Sequence, residues 1–410
     1  MSFQQGLSGL NAASKSLEVT GNNVANSSTV GFKSAQAQFA DVYASSLTGG
    51  GASQVGIGTS VSTVAQQFTQ GNVTASNNPL DLAINGGGFF RLSSGGAITY
   101  SRNGQFQLDK NGGIVNAKGA HLTGFGVSAA GVLATGAPTN LVINTADLAP
   151  KATTAVGLLV NLDSREKTPV TTPFSATDPT SYNRSTSVSV FDSLGNAHVL
   201  QSYFVKSATA TSTWDVYGTA DGTALVTPLV GTLTFNTDGG LTALPAAQPF
   251  NAVVAPATTP GAGSLAFKFD FTGTTQFGST FGLNTQTQDG YTSGKLSGFA
   301  TGADGIITGR YTNGKSATLG QVVLSNFTNP NGLQNLGNNV WTETAASGGP
   351  LDGTPNSGNL GVLQSSAVED SNVDLTAELV NMITAQRFYQ ANAQTIKTQD
   401  QVLQTLVNLR

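Results

Sequence analysis

Side chains able to do chemistry are few in this chain of 410 residues. There are two histidines, His121 and His198, and no cysteine. A disulfide framework, a zinc-thiolate site and a thiol nucleophile are therefore excluded. Asp192, Ser193 and His198 supply the three residue types of a hydrolytic triad within seven positions. A triad is defined by geometry and roles, however, not by nearness in sequence. These residues straddle Asp192-Ser193-Leu194-Gly195-Asn196, a run of turn formers in which carboxylates and hydroxyls ordinarily bond the turn backbone. Gly86-Gly87-Gly88 follows a strand-like segment, but it is not G-x-G-x-x-G and strands rather than a helix follow it. Acidic residues are scattered without metal-ligand spacing. The expectation is a non-enzymatic protein with no cofactor and no metal.

Composition points the same way. Only 10% of residues are charged, against about 25% in ordinary soluble domains. The net charge of -4 leaves no electrostatic footprint for nucleic acid. No stretch approaches the ~20 apolar residues of a membrane span, and MSFQQGLSGL lacks the basic and apolar regions of a signal peptide. The expectation is no membrane insertion and, if the chain is exported, a route without a cleaved signal. The length predicts about two to four domains, and Gly 50 predicts many turns between short strands.

The elements that would position any functional surface lie at the two ends. Phe3, Leu7, Leu10, Leu17 and Val24 alternate in steps of four and three, with Ser14 and Gly21 at the skipped positions. That spacing predicts an amphipathic helix with a coiled-coil type of seam. NNVANSSTVGFK, residues 22–33, then ends it with turn and cap formers. Leu375, Leu379, Met382, Tyr389, Ala393, Ile396, Leu403 and Val407 repeat the alternation, interrupted by Gln386 and Asp400. Asn372 or Asp374 is the expected cap.

Between the ends the pattern is β. LDLAI (80–84), GFFRL (88–92), AITYS (97–101), QFQLD (105–109) and the run from Ile114 read as strands. STSVSVF and HVLQSYFV flank the turn at 192–196 as a hairpin, and LAFKFDF places Leu265, Phe267, Phe269 and Phe271 on one face. Composition shifts near Leu148-Ala149-Pro150 and again near 282–290, which predicts a middle β domain inserted into an outer one.

The terminal helices carry unusual surfaces. Residues 42–80 contain no acidic or basic side chain. The outer face of the last helix is Gln390, Gln394, Thr398, Gln401, Gln404, Thr405 and Asn408, where a solvated face is ordinarily charged. Uncharged polar faces suit helices surrounded by identical copies, because a like charge would meet itself. Five apolar side chains do not offset the entropy of ordering the first segment, so the ends are expected to need neighbours.

Three segments carry a family resemblance. GNNVANSSTVGFK, with Asn22, Asn23, Asn26, Gly31 and Phe32, resembles the N-terminal signature of the rod and hook axial proteins of the bacterial flagellum. NPLDLAINGGGFFRL with YSRNGQFQLDKNGGIVNAKGAHLTGF is similar to that family's shared β segment, although Asn85 and Gly87 stand where relatives often carry a charge. SNVDLTAELVNMITAQRFYQANAQTIKTQDQVLQTLVNL resembles its C-terminal helix signature. Within the family, the length and the segment at 174–206 favour the hook branch over the shorter rod branch.

The resemblance implies a mainly β, nested, multi-domain protein with α-helical termini. Its parts would be a helical domain of 1–30 with 372–410, an inner β domain of 31–147 with 286–371, and an outer inserted β domain of 148–285. It implies a flexible tubular homopolymer at the cell exterior that couples the motor rod to the filament and transmits torque. The implied partners are further copies of the chain, the distal rod, hook cap and hook-filament junction proteins, and the flagellar type III export apparatus. Self-assembly would run through the seam residues named above. The alternatives are a distal rod subunit with an unusual insertion, or a secreted β-rich adhesin.

Overall fold

The computed structural model describes residues 2–42, 56–128, 131–242, 250–254 and 261–408. Two helices bracket a β-rich interior: α1 (Ser2–Ala25) and α2 (Leu375–Asn408). Asp374 starts α2, its Oδ1 accepting from the N–H groups of Thr376 and Ala377 at 2.9 and 3.1 Å. Glu378 in the first turn suits the positive end of the helix dipole. No helix among the described residues is long and apolar enough to cross a membrane.

The chain divides into two compact units. Unit 1 holds residues 1–145, 298–310 and 316–410, and unit 2 holds 146–297 with 311–315. In unit 1 a large, mostly antiparallel sheet runs through strands His121–Gly126, Phe89–Ser94, Ala97–Ser101 and Val340–Thr342. Its aromatic core packs Phe89, Tyr100, Phe327 and Trp341 with Phe68. Edge-to-face contacts dominate there, such as Tyr100 on Phe327 with centroids 4.7 Å apart. A separate hairpin pairs Ala35–Val42 with Gly58–Gln66.

Unit 2 is built from two four-stranded sheets. One orders Phe250–Val254, Leu265–Asp270, Ala155–Asn161 and Gly282–Gln288; the other is the meander Arg184–Phe191, Ala197–Lys206, Thr213–Ala220 and Thr223–Thr234. Both send apolar side chains into one core. Val156, Leu158 and Val160 enter it from the first sheet, and Val190, Leu200, Phe204, Trp214 and Leu233 from the second. Leu265, Phe267, Phe269 and Phe271 all lie in it, as their alternation predicts. The turn at Asp221-Gly222 has φ of 48° and 79°, the double left-handed geometry of a two-residue hairpin.

Each unit buries one of the two tryptophans, Trp341 in unit 1 and Trp214 in unit 2. Phe269 is fully buried and stacks on Phe271. Phe269→Ala is expected to destabilise unit 2 by about 3–5 kcal/mol. In a Trp341→Phe background, the urea transition reported by Trp214 fluorescence should move to lower denaturant. An unchanged midpoint would show that Phe269 does not support the core.

Candidate self-assembly surface

The segment that ends α1 is a joint. The Asn26 N–H donates back to the carbonyls of Asn22 and Asn23, each at 3.1 Å, and the Thr29 hydroxyl donates to the Asn26 side chain. Gly31 turns the chain at φ 71°, where an added Cβ would stand 2.6 Å from the backbone N of Asn103. Its N–H donates to the carbonyl of Glu369 at 2.7 Å. Asn23 is buried: its amide donates to Ala35 O and Glu378 Oε1, and its Oδ1 accepts from the Ala35 N–H. The buried Phe32 offers its carbonyl to the N–H of Asn372 at 3.4 Å. Asn372 in turn bonds Ser34, Gln67 and Thr69. Asp374 is thus the cap of α2, and Asn372 is a cross-link between the two ends of the chain.

Beneath the joint lies a buried charge cluster that the sequence reading did not single out. Lys33 Nζ donates to Glu369 Oε1 at 2.6 Å, and Arg102 donates to Glu369 Oε2 at 3.1 Å. The Lys33 and Glu369 side chains are fully buried and that of Arg102 is 5% exposed. The N–H of Gly71 also donates to Glu369 Oε1. Two cations and one carboxylate leave an excess positive charge, which the carbonyls of Thr69, Ile84 and Gly86 receive. Burial draws both cations below their ordinary pKa, with Glu369 opposing it. One sequence signal was available: period-two alternation places Glu369 on the same inward face as Ala367 in strand Ala367–Glu369.

Above the joint, α1 and α2 run antiparallel. Near its start α1 meets Ile396 and Asn392 of α2, and near its end Asn23 reaches Glu378. On the α1 side the contact is made by glycines: a Cβ on Gly6 would sit 3.0 Å from Ile396, and one on Gly9 2.6 Å from Asn392. Ala13, Val19, Thr20 and Asn23 are the buried positions further along. The apolar seam of α1 is therefore offset from the line that joins it to α2. Phe3 and Leu7 are each 45% exposed, while Leu10, Leu17 and Val24 are half-buried. On α2, Met382 and Ile396 are half-buried, whereas Tyr389, Leu375, Leu379, Leu403 and Val407 are exposed. Val380, Ile383, Phe388 and Val402 are exposed as well, although the seam spacing did not include them. Close helix approach through glycine leaves the large apolar groups for some other surface.

The residues with triad chemistry do not form one. Asp192 Oδ1 accepts from the N–H groups of Leu194 and Asn196, as a turn cap. The Ser193 hydroxyl accepts from the N–H of Gly263 and not from His198. This is the turn geometry that the sequence indicates.

Removing the charge of Glu369 would leave Lys33 and Arg102 facing each other without water. Glu369→Gln is expected to destabilise unit 1 by about 3–5 kcal/mol, read by Trp341 fluorescence in a Trp214→Phe background. Gly9→Leu should instead displace α1, with loss of helical circular dichroism and no change in that transition. A Glu369→Gln protein as stable as the parent would remove the cluster from its structural role.

Comparison with known proteins bears on all these features. The family described as Flagella basal body rod protein matches residues 3–33, and the Flagellar hook protein FlgE/F/G D1 domain matches 83–157. The Flagellar basal body protein FlaE D2 domain matches 161–291, and the Flagellar basal body rod FlgEFG protein C-terminal matches 364–409. The flagellar hook protein FlgE of Escherichia coli (strain K12) is 46% identical over 418 residues, covering 100% of both chains. That of Rhizobium meliloti (strain 1021) is 34% identical, covering 100% of this chain and 98% of its own. The crystal structure of Helicobacter pylori flagellar hook protein FlgE2 shares the fold with a TM-score of 0.52 at 15% identity, over 72% of this chain and 99% of that one. Full-length identity at this level, with a terminal helix at each end of a β-rich interior, places the chain in one family: it belongs to the flagellar hook proteins.

Proposed function

We propose that this chain, a structural subunit of the bacterial flagellar hook, polymerises through the exposed apolar stripes of α1 and α2. The tube so formed would couple the motor rod to the filament and transmit torque as it bends. The observation that carries this reading is the mismatch on the helix pair. On the α1 side the groups facing α2 near its start are glycines, and the buried positions beyond are Ala13, Val19, Thr20 and Asn23, while Phe3, Leu7, Leu375, Leu379, Leu403 and Val407 remain uncovered. An identical copy supplies the complementary surface, and a heterologous, head-to-tail contact extends without closing. Weak contacts between outer domains would exchange as the tube flexes. Distal rod, cap and hook-filament junction proteins are the partners at its ends, and the type III apparatus its route out of the cell.

Leu7 and Leu403 test the proposal without a folding penalty, since both are about half exposed in the single chain. Leu7→Asp and Leu403→Asp should melt like the parent. Each places an unpaired charge in a dry contact, a cost of several kcal/mol per copy. Sedimentation should show monomers only, and electron microscopy no tubes. Normal tubes from both variants would rule out the stripes as the assembly contact; tubes that are short and straight would favour a rod subunit.

A further inference from the structure

We infer that His198 is a proton-operated clasp: while it carries a positive charge, it ties together two hairpin turns at one end of unit 2. His198 lies on strand Ala197–Lys206 and is 7% exposed. Its Nδ1 is 2.7 Å from Oδ2 of Asp221, and its Nε2 is 3.4 Å from Oδ2 of Asp192. Asp192 belongs to the turn at 192–196, and Asp221 to the turn at 221–222.

The two carboxylates otherwise meet only donors. Asp192 accepts from the N–H groups of Leu194 and Asn196 and from the Asn196 amide. Asp221 accepts from the N–H of Val199. A carboxylate in such a site accepts and does not donate, and a neutral imidazole has one N–H. Only the doubly protonated ring therefore satisfies both neighbours. Once it loses a proton, one ring nitrogen turns a lone pair toward a carboxylate in a place with little water.

The position gives the clasp a consequence. Gly195, within the Asp192 turn, packs against Pro150, Thr292 and Ser293, and an added Cβ would stand 2.8 Å from Cβ of Pro150. There the segment entering unit 2 is bonded to the segment leaving it, Leu148 to Gly294 and Lys151 to Tyr291. His198 thus secures a turn that buttresses the base of the unit.

Among the described residues, Asp192 and Asp221 are the charged groups that act on His198. Burial opposes its charge, but the hydrogen bonds to Asp221 and Asp192 outweigh that and hold its pKa above 6.5. Burial likewise opposes ionisation of Asp192, yet its donors hold it at about 2. The histidine's contribution is fully present below 6.5 and is lost as pH rises through the higher folded value. The contribution of Asp192 has the opposite sense and is lost as pH falls toward about 2.

The test uses the full-length protein. The ring protons of His198, assigned by their loss in His198→Gln, should titrate with a midpoint above that of free histidine. The melting temperature of unit 2 should fall in the parent as pH rises beyond 6.5. His198→Gln and Asp221→Asn should each flatten that fall; Asp221→Asn retains an acceptor for Val199 and serves if the first variant folds poorly. A His198 midpoint at or below the ordinary value would overturn the clasp. So would an unaltered pH slope in a folded variant.

Discussion

One carboxylate, that of Glu369, fixes how the two ends of the chain meet. It is buried, and it takes donors from Lys33, Arg102 and Gly71, which lie 336, 267 and 298 positions away along the chain. Taking three charges out of water is expensive, and their mutual attraction offsets this only with good geometry and further hydrogen bonds. The carbonyls of Thr69, Ile84 and Gly86 supply those bonds and absorb the surplus positive charge. Such a cluster tolerates little displacement. The directions of the chain at the end of α1 and the start of α2 are accordingly set by groups that bond in one way, with Asn23 and Asn372 repeating the constraint on either side.

The helix pair above it obeys a different rule. Gly6 and Gly9 let the backbones of α1 and α2 approach, with Ile396 and Asn392 of α2 seated over the two glycines. That surface holds the helices side by side but contributes little burial per residue, since glycine and small polar groups have little apolar area to withdraw from water. The apolar area is carried on the outside instead. A pair of helices with its large side chains outward is poorly suited to life as a monomer and well suited to a crowded tube of copies.

How much of this was legible follows from the range of each interaction. The end of α1 is written in residues 22–31 because caps and turns act over a few positions. The alternation of Leu265 to Phe271 declares a buried strand face for the same reason. The Asp192 turn was legible down to its acceptor role. The partner of Lys33 was not, because nothing local distinguishes a lysine bound for a buried carboxylate from one bound for water. The hairpin of Ala35–Val42 with Gly58–Gln66 also escaped notice, since alanine and glutamine dominate its first strand and neither favours sheet. For the terminal helices, apolar spacing alone does not say which face meets α2. The glycines at 6 and 9 decide that, and a helix reading counts them only as weak formers.

These features separate two kinds of force by location. The buried charge-assisted bonds of Lys33, Arg102 and Glu369 lie in the joint, inside one chain, where their geometry is fixed by several partners at once. The exposed helix surfaces proposed above to meet other copies carry apolar groups set among uncharged Gln, Asn and Thr, and residues 42–80 add no charge. Apolar contact is non-directional and scales with area, so it survives small sliding movements that would break an ion pair. A charged helix face would also repeat its own sign at every neighbour. On the assembly proposed above, a tube that bends without losing its subunits is served by rigid joints within each chain and by seams between chains that carry few charges. On that proposal the low charge content suits the seams, while the buried charges beneath the helices hold the ends of α1 and α2 in place within the chain.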